Sequence, residues 1–240
     1  MTEKKEKKKS NIKSWILFAL ILAVFAAGFF FLPTFHFYVE GNETISDEEV
    51  VNLLFPQRKD RTYRNVLIQA GTPVKTDVFE SASVKPKGFF SAEITVTEAE
   101  GAFTVNGGAE KMVFNVNGVR IPDRDERELP VLEGITVRSC ELYKSPDLPE
   151  ESGKLFRSAG EVFKIIHTLK VPVSVLTVSE NDYLLTFGAV HVNLGENRYM
   201  LEKITEVSAQ YRKYEGLKGT LHMENYNGKN GASGFYFTVE

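Results

Sequence analysis

The amino-acid sequence predicts an α+β protein in which one N-terminal transmembrane helix precedes a folded portion of short strands and a few helices. Three observations carry this expectation. Trp15–Leu32 is an 18-residue run with no charged or strongly polar side chain, a length that suits a helix crossing a hydrocarbon core. Beyond it, β-branched and aromatic runs alternate with polar positions and are punctuated by Gly, Asn and Pro, as strands and turns are. Two later segments place apolar residues three and four apart, the spacing of helices with one buried face.

Composition narrows the class. The 240 residues are 42% hydrophobic and 25% charged with a net charge of -3, so the portion after the apolar run can bury a core of one or two domains. Residues 1–13 hold six lysines against two glutamates, which leaves the remainder acidic and without an electrostatic footprint for nucleic acid. Cys140 is the single cysteine. It excludes an intrachain disulfide, a CxxC redox pair and a cysteine-based zinc site.

In chain order, residues 1–14 read as a basic cytoplasmic tail and 15–33 as the transmembrane helix, ended by Pro33 and flanked by Trp15 as an interfacial anchor. No Lys or Arg occurs between Ser14 and Gln57, so the positive-inside rule places the N-terminus in the cytoplasm and the rest outside. A cleaved signal peptide, cut at Ala26-Ala27-Gly28, is the rival reading. The run is longer than a usual signal core, and cleavage would leave Phe29-Phe30-Phe31 at the start.

Phe35 to Val39 reads as a strand stopped by Gly41-Asn42, and Ser46 with Glu49 forms a capping box for a helix ending before Pro56. Arg61 to Ala70 reads as a second short helix. Val84 lies in a weak strand, and Ile94 and Val96 in a clear one. Strand, helix, helix, strand, strand over 35–100 is the order seen in a POTRA domain, a small α+β module. Residues 101–240 read as a mixed β-sheet domain with two helices. Strands are expected over Phe103–Val105, Met112–Val116 and Val119–Ile121, with turns at Asn106-Gly107 and Asn117-Gly118. A charged loop, Pro122–Glu128, and the segment Leu129–Gly134 follow. One helix carries Leu155, Ala159, Val162, Phe163, Ile166 and Leu169, and the other Leu201, Ile204, Ser208, Tyr211 and Tyr214 before Gly216. Strands fall over 173–178, 183–187 and 190–194. The last two, Thr220–Asn225 and Phe235–Val239, are split by the turn-rich stretch 227–231.

Chemistry-bearing motifs are sparse. His36, His167, His191 and His222 show no metal-ligand spacing, and Ser10-Asn11-Ile12-Lys13 matches SxxK only by letter within the tail. There is no GxSxG, P-loop or GxGxxG, and the glycines suit turns better than phosphate cradles. The pairs Glu48-Glu49 and Glu98-Glu100 read as solvated surface, and Asn42-Glu43-Thr44 as a chance glycosylation triplet. No catalytic, cofactor-binding or metal residue is expected.

Over nearly its whole length the chain resembles the FtsQ/DivIB family of bacterial cell-division proteins. The likeness runs through Phe37-Tyr38-Val39-Glu40-Gly41-Asn42, Ile45-Ser46 and Glu48-Glu49-Val50, then Ile94-Thr95-Val96-Thr97-Glu98 with Ala102. It continues in Met112 to Val119, in Leu129-Pro130-Val131-Leu132-Glu133-Gly134, in Val192-Asn193-Leu194-Gly195 and in Gly219-Thr220-Leu221-His222-Met223. Order and spacing carry the likeness more than any one motif. The chain departs from the family pattern at Asn115, usually Asp; at Ala99 to Gly101, usually Arg-x-Pro; and at His222, often Asp.

The resemblance implies a non-enzymatic scaffold of the divisome, a single-pass protein of the cell membrane at the division septum. It implies partners of the FtsB/DivIC and FtsL types and a role with the septal peptidoglycan synthase complex. Family members bind by strand addition to the last strands, which implies Thr220, Leu221, His222, Met223, Glu224, Asn225, Tyr226 and Tyr236 as partner-binding residues. The competing class is a membrane-anchored cell-wall enzyme or ligand-binding domain, which would need a pocket of convergent polar groups.

Overall fold

The computed structural model describes residues 3–34, 36–74, 76–88, 90–107, 110–123, 128–228 and 234–239, with backbone alone for 3–11 and 29–31. Phe35, most of the charged loop 122–128 and part of the turn 227–231 lie outside the described residues. The chain is α+β with mixed sheets and divides into two compact units, Met1–Glu98 and Ala99–Glu240.

The first unit begins with helix α1, Glu3–Phe31. Among the described residues no helix is long and apolar enough to cross a membrane, and this corrects the expectation of a transmembrane helix over 15–33. The far end of the run is taken up by other contacts. Pro33 bridges to Thr62, the Leu32 carbonyl accepts the Tyr63 N–H at 3.1 Å, and the Thr34 N–H donates to the Arg61 carbonyl at 2.7 Å. The single-pass placement in the cell membrane, with a cytoplasmic N-terminus and extracytoplasmic domains, rested on that helix and falls with it.

Strand β1, His36–Glu40, is followed by α2, Asp47–Leu54, whose first turn carries the capping box: Ser46 Oγ accepts from the Glu49 N–H, and the Glu49 carboxylate accepts from the Ser46 N–H at 3.2 Å. Such a cap stabilises a short helix by about 1 kcal/mol. Helix α3, Tyr63–Gln69, then leads to β2, Phe79–Pro86, and β3, Ser91–Glu98. The strand order is β1-β3-β2, with β1 parallel and β2 antiparallel to β3. Val50, Val51, Leu54, Phe55, Val66, Val84, Ile94 and Val96 form the buried face, and Val39 is half-buried beside Ile94.

Glu98 is buried rather than solvated. Its carboxylate accepts the N–H groups of Glu43 (2.7 Å), Thr44 (3.1 Å) and Ile45 (3.1 Å) and the Thr44 hydroxyl (2.9 Å). Charge-assisted bonds of this kind offset the cost of taking a carboxylate from water. They close the loop after β1 onto the end of β3.

The second unit is built on a nine-stranded sheet. Its first strands are β4 (Phe103–Gly107), β5 (Glu110–Phe114), β6 (Arg120–Ile121) and β7 (Val131–Glu133). After helix α4 (Glu150–Leu169) come β8 (Val175–Val178), β9 (Tyr183–Phe187) and β10 (Val190–Gly195). Helix α5 (Met200–Tyr214) leads to β11 (Gly219–His222), and β12 (Tyr236–Val239) is last. The spatial order is β12-β11-β10-β9-β8-β7-β4-β5-β6. Gly107 pairs with Glu110, so Asn106-Gly107 ends β4, and residues 108–109 lie outside the described residues. At Asn117-Gly118 the turn is present: Asn115 Oδ1 accepts the N–H groups of Asn117 and Val119, each at 3.0 Å, and Gly118 adopts a φ of 73°.

Alternation decides the faces. Leu132, Leu176, Leu185, Val192 and Leu221 point into a core shared with Phe156, Phe163, Ile166, Ile204 and Val207 of the two helices. At its centre Phe103 stacks on Phe163 with centroids 4.5 Å apart, and Phe114 meets Phe156 edge-on at 5.2 Å. β7, three residues long, joins the two halves of the sheet and runs parallel to both β4 and β8.

Candidate functional site at an open strand edge

The last strands owe their arrangement to α5. A parallel neighbour cannot be reached by a tight turn, so the chain leaves β10, crosses through α5 and returns as β11 beside β10. From β11 it doubles back, and β12 pairs antiparallel, with Thr220 opposite Thr238, Leu221 opposite Phe237 and His222 opposite Tyr236. Gly219 permits the approach, because a Cβ there would run into the Thr238 carbonyl.

The sequence-derived candidates do not all lie on an edge. Thr220, Leu221 and His222 belong to β11, which sits between β10 and β12. Met223 is fully buried and its N–H donates to the Asn193 carbonyl at 2.9 Å. Glu224 is half-buried, and Asn225 is exposed. Tyr226 stands edge-on to Tyr199 at 5.6 Å. Of that set, Tyr236 alone lies on β12, 51% exposed.

The ladder shows which backbone groups β12 leaves open. Gly219 donates its N–H to the Ala189 carbonyl and Met223 to that of Asn193, so 219, 221 and 223 face β10. Backbone groups alternate sides along a strand, so Thr220 and His222 face β12, where they meet Thr238 and Tyr236. The N–H and C=O groups of Phe237 and Val239 therefore point away from the sheet. Among the described residues no strand pairs with that side. Val239 is 75% exposed. Phe237 and Val239 were missed as backbone donors because sequence alternation assigns side chains, and the open side of a strand depends on which neighbour it takes.

The two faces beside the edge differ. On the helix-covered face Phe237 stacks on Tyr214, with centroids 5.0 Å apart, and Tyr214 lines a groove of about 390 Å³ with Phe187, Tyr211 and Leu217. On the other face His222 stacks on Tyr236 at 4.4 Å and 8°. Its Nδ1 lies 3.1 Å from Glu224 Oε1 and its Nε2 lies 3.0 Å from Thr238 Oγ1. Lys203 of α5, 1% exposed, donates to the Leu194 carbonyl. Burial pushes its pKa down, against the attraction of Glu224 and Glu196.

Among the described residues no group of three or more His, Cys, Asp or Glu side chains is placed to hold a metal ion. Cys140 is a buried thiol whose pKa burial pushes up. In comparison with known proteins, no family model matches the chain and no curated protein matches it.

Proposed function

We propose that this chain is a non-enzymatic scaffold of the bacterial division machinery. It holds small coiled-coil partners of the FtsB/DivIC and FtsL types and helps coordinate septal peptidoglycan synthesis. The observation that carries the reading is the outer side of β12, where Phe237 and Val239 present donors and acceptors. An extended partner segment satisfies such a row by adding a strand, and its alternate side chains meet Tyr236 on one face and Phe237 on the other. The ordered resemblance from Phe37 to Met223 supplies the class of partner.

Affinity capture of the full chain from detergent-solubilised cells that express it should yield both small partners, identified by mass spectrometry. Val239→Pro removes one outward donor without touching the β11 ladder, and it should reduce capture at least about tenfold, the equivalent of one or two lost bonds. Val239→Ala should capture as the parent does. Equal capture by Val239→Pro, with an unchanged circular-dichroism melt, overturns docking at this edge.

A further inference from the structure

The three-stranded sheet of the first unit is covered along one outer strand and open along the other. Beside β2, Ala70 bridges to Val84 and the Val74 N–H donates to the Ala82 carbonyl at 2.8 Å. Along β1 the ladder fixes which groups are open. The His36 N–H donates to the Phe90 carbonyl at 3.4 Å, so His36, Tyr38 and Glu40 turn their backbone groups to β3. Those of Phe37 and Val39 point away from the sheet, and among the described residues no strand pairs with that side. The side chains divide by alternation. His36, Tyr38 and Glu40 are exposed, whereas Phe37 and Val39 are half-buried on the core side, Phe37 with its centroid 5.4 Å from that of Phe55.

We propose that β1 pairs with the β1 of a second copy of this chain, antiparallel and about a two-fold axis at Tyr38. In that register Phe37 of each copy lies opposite Val39 of the other. The two exchange their N–H and C=O groups, so every outward donor and acceptor of the strand is met. The side chains are self-complementary as well. Tyr38 faces its own mate in the closer, non-hydrogen-bonded pair, and an aromatic Phe37 faces a β-branched Val39. His36 lies opposite Glu40, and its imidazole carries an N–H for that carboxylate in either neutral tautomer. Neighbouring registers lose these matches. An axis at Val39 sets Phe37 opposite Gly41, which leaves the strand at a φ of 85°, and an axis at Phe37 sets Glu40 opposite Thr34. A contact in which one patch is its own complement is what a two-fold dimer requires, and this complementarity selects a second copy as the occupant. The pairing joins the two sheets in the order β2-β3-β1-β1-β3-β2. It stands apart from docking at β12 and brings two such docking edges into one assembly.

The test is disulfide trapping in the full chain. Tyr38→Cys puts two thiols at the closest cross-strand position, and mild oxidation with diamide should convert most of the chain to a covalent dimer on a non-reducing gel. Thr95→Cys, exposed on the same face of β3, lies about 14 Å from its mate across the proposed sheet and should stay monomeric. Adding His36→Glu to Tyr38→Cys sets carboxylates opposite each other and should cut trapping about tenfold. Adding Glu40→Lys as well restores opposite charges and should restore trapping. This rescue has no counterpart within one copy, where residues 36 and 40 lie about 13 Å apart along the strand. Hydrogen exchange reads the same pairing without a cysteine. His36→Glu should lower protection of the Phe37 and Val39 amides about tenfold and leave that of Tyr38, which faces β3, unchanged. Trapping of Tyr38→Cys no greater than that of Thr95→Cys, or trapping and exchange indifferent to His36→Glu, overturns the pairing. Val239→Pro should not alter trapping, so the fate of this contact and that of docking at β12 are read separately.

Discussion

The nine-stranded sheet ends in two edges that are handled in opposite ways. At one end β6 is only two residues long, and its outer side is already occupied. The Arg120 N–H donates to the Lys144 carbonyl at 2.9 Å and the Arg120 carbonyl accepts from Tyr143 at 2.8 Å. The Arg120 guanidinium adds a bond to the Cys140 carbonyl and an ion pair with Glu110 at 2.5 Å. At the other end β12 offers four residues with no such cover among those described. Exposed edges invite pairing with other chains, and proteins blunt them with charge, short length or a covering loop. One edge here carries all three devices, and among the described residues the other has no covering loop, a contrast in line with the proposed docking at β12.

Three changes would break or sharpen that contrast. Gly219→Val should have the largest effect, because its side chain would meet the Thr238 carbonyl and push β12 off the sheet. A loss of about 2–3 kcal/mol is expected from overpacking of this kind, with fast exchange across residues 236–239. An unchanged denaturation midpoint would show that β12 does not depend on that close approach.

Arg120→Ala should come next. It removes the charged bond to Cys140 and the partner of Glu110, about 1–2 kcal/mol. By loosening the loop over β6 it should also make the two ends alike, read as concentration-dependent association in analytical ultracentrifugation. A variant that stays as monodisperse as the parent would mean that strand length alone protects that end.

Lys203→Met should have the smallest effect, visible only in alkali. Burial holds the Lys203 pKa below its usual 10.5, so the unfolded chain binds the proton more tightly than the folded one. Stability should then rise with pH through the window below 10.5 as the buried amine loses its charge. Replacing the lysine should flatten that rise in melts taken at successive alkaline pH values. A persistent slope would assign it to another group.

Side-chain alternation made much of the second unit legible. It separates Tyr236 from Phe235 and Phe237, and the sheet keeps that division, with Tyr236 exposed and Phe237 against Tyr214. The Ser46 capping box was readable because both of its partners are three residues apart. What stayed hidden depends on distant partners. Leu32 and Pro33 read as the end of a membrane run, and their uptake by Thr62 and Tyr63 lies in another segment. Glu98 reads as surface until the loop at 43–45 wraps its carboxylate. His222 carries no motif, and its two ring partners, Glu224 and Thr238, come from different segments. The cover over β6 is supplied by a loop at 143–144 that has no strand pattern.

The three residues of β7 set how the second unit comes apart. Val131 and Leu132 pair with β4, and Val131 to Glu133 with β8, so few register positions join the halves β4–β6 and β8–β12. A ladder that thin is a seam, along which cooperative units of native-state exchange divide. What bridges the seam is α4, whose Phe156 and Phe163 lie on Phe103 and Phe114 of one half while α4 shares its core with Leu176 and Leu185 of the other. The resistance of the sheet to being pulled apart therefore resides in aromatic packing on one helix more than in backbone pairing.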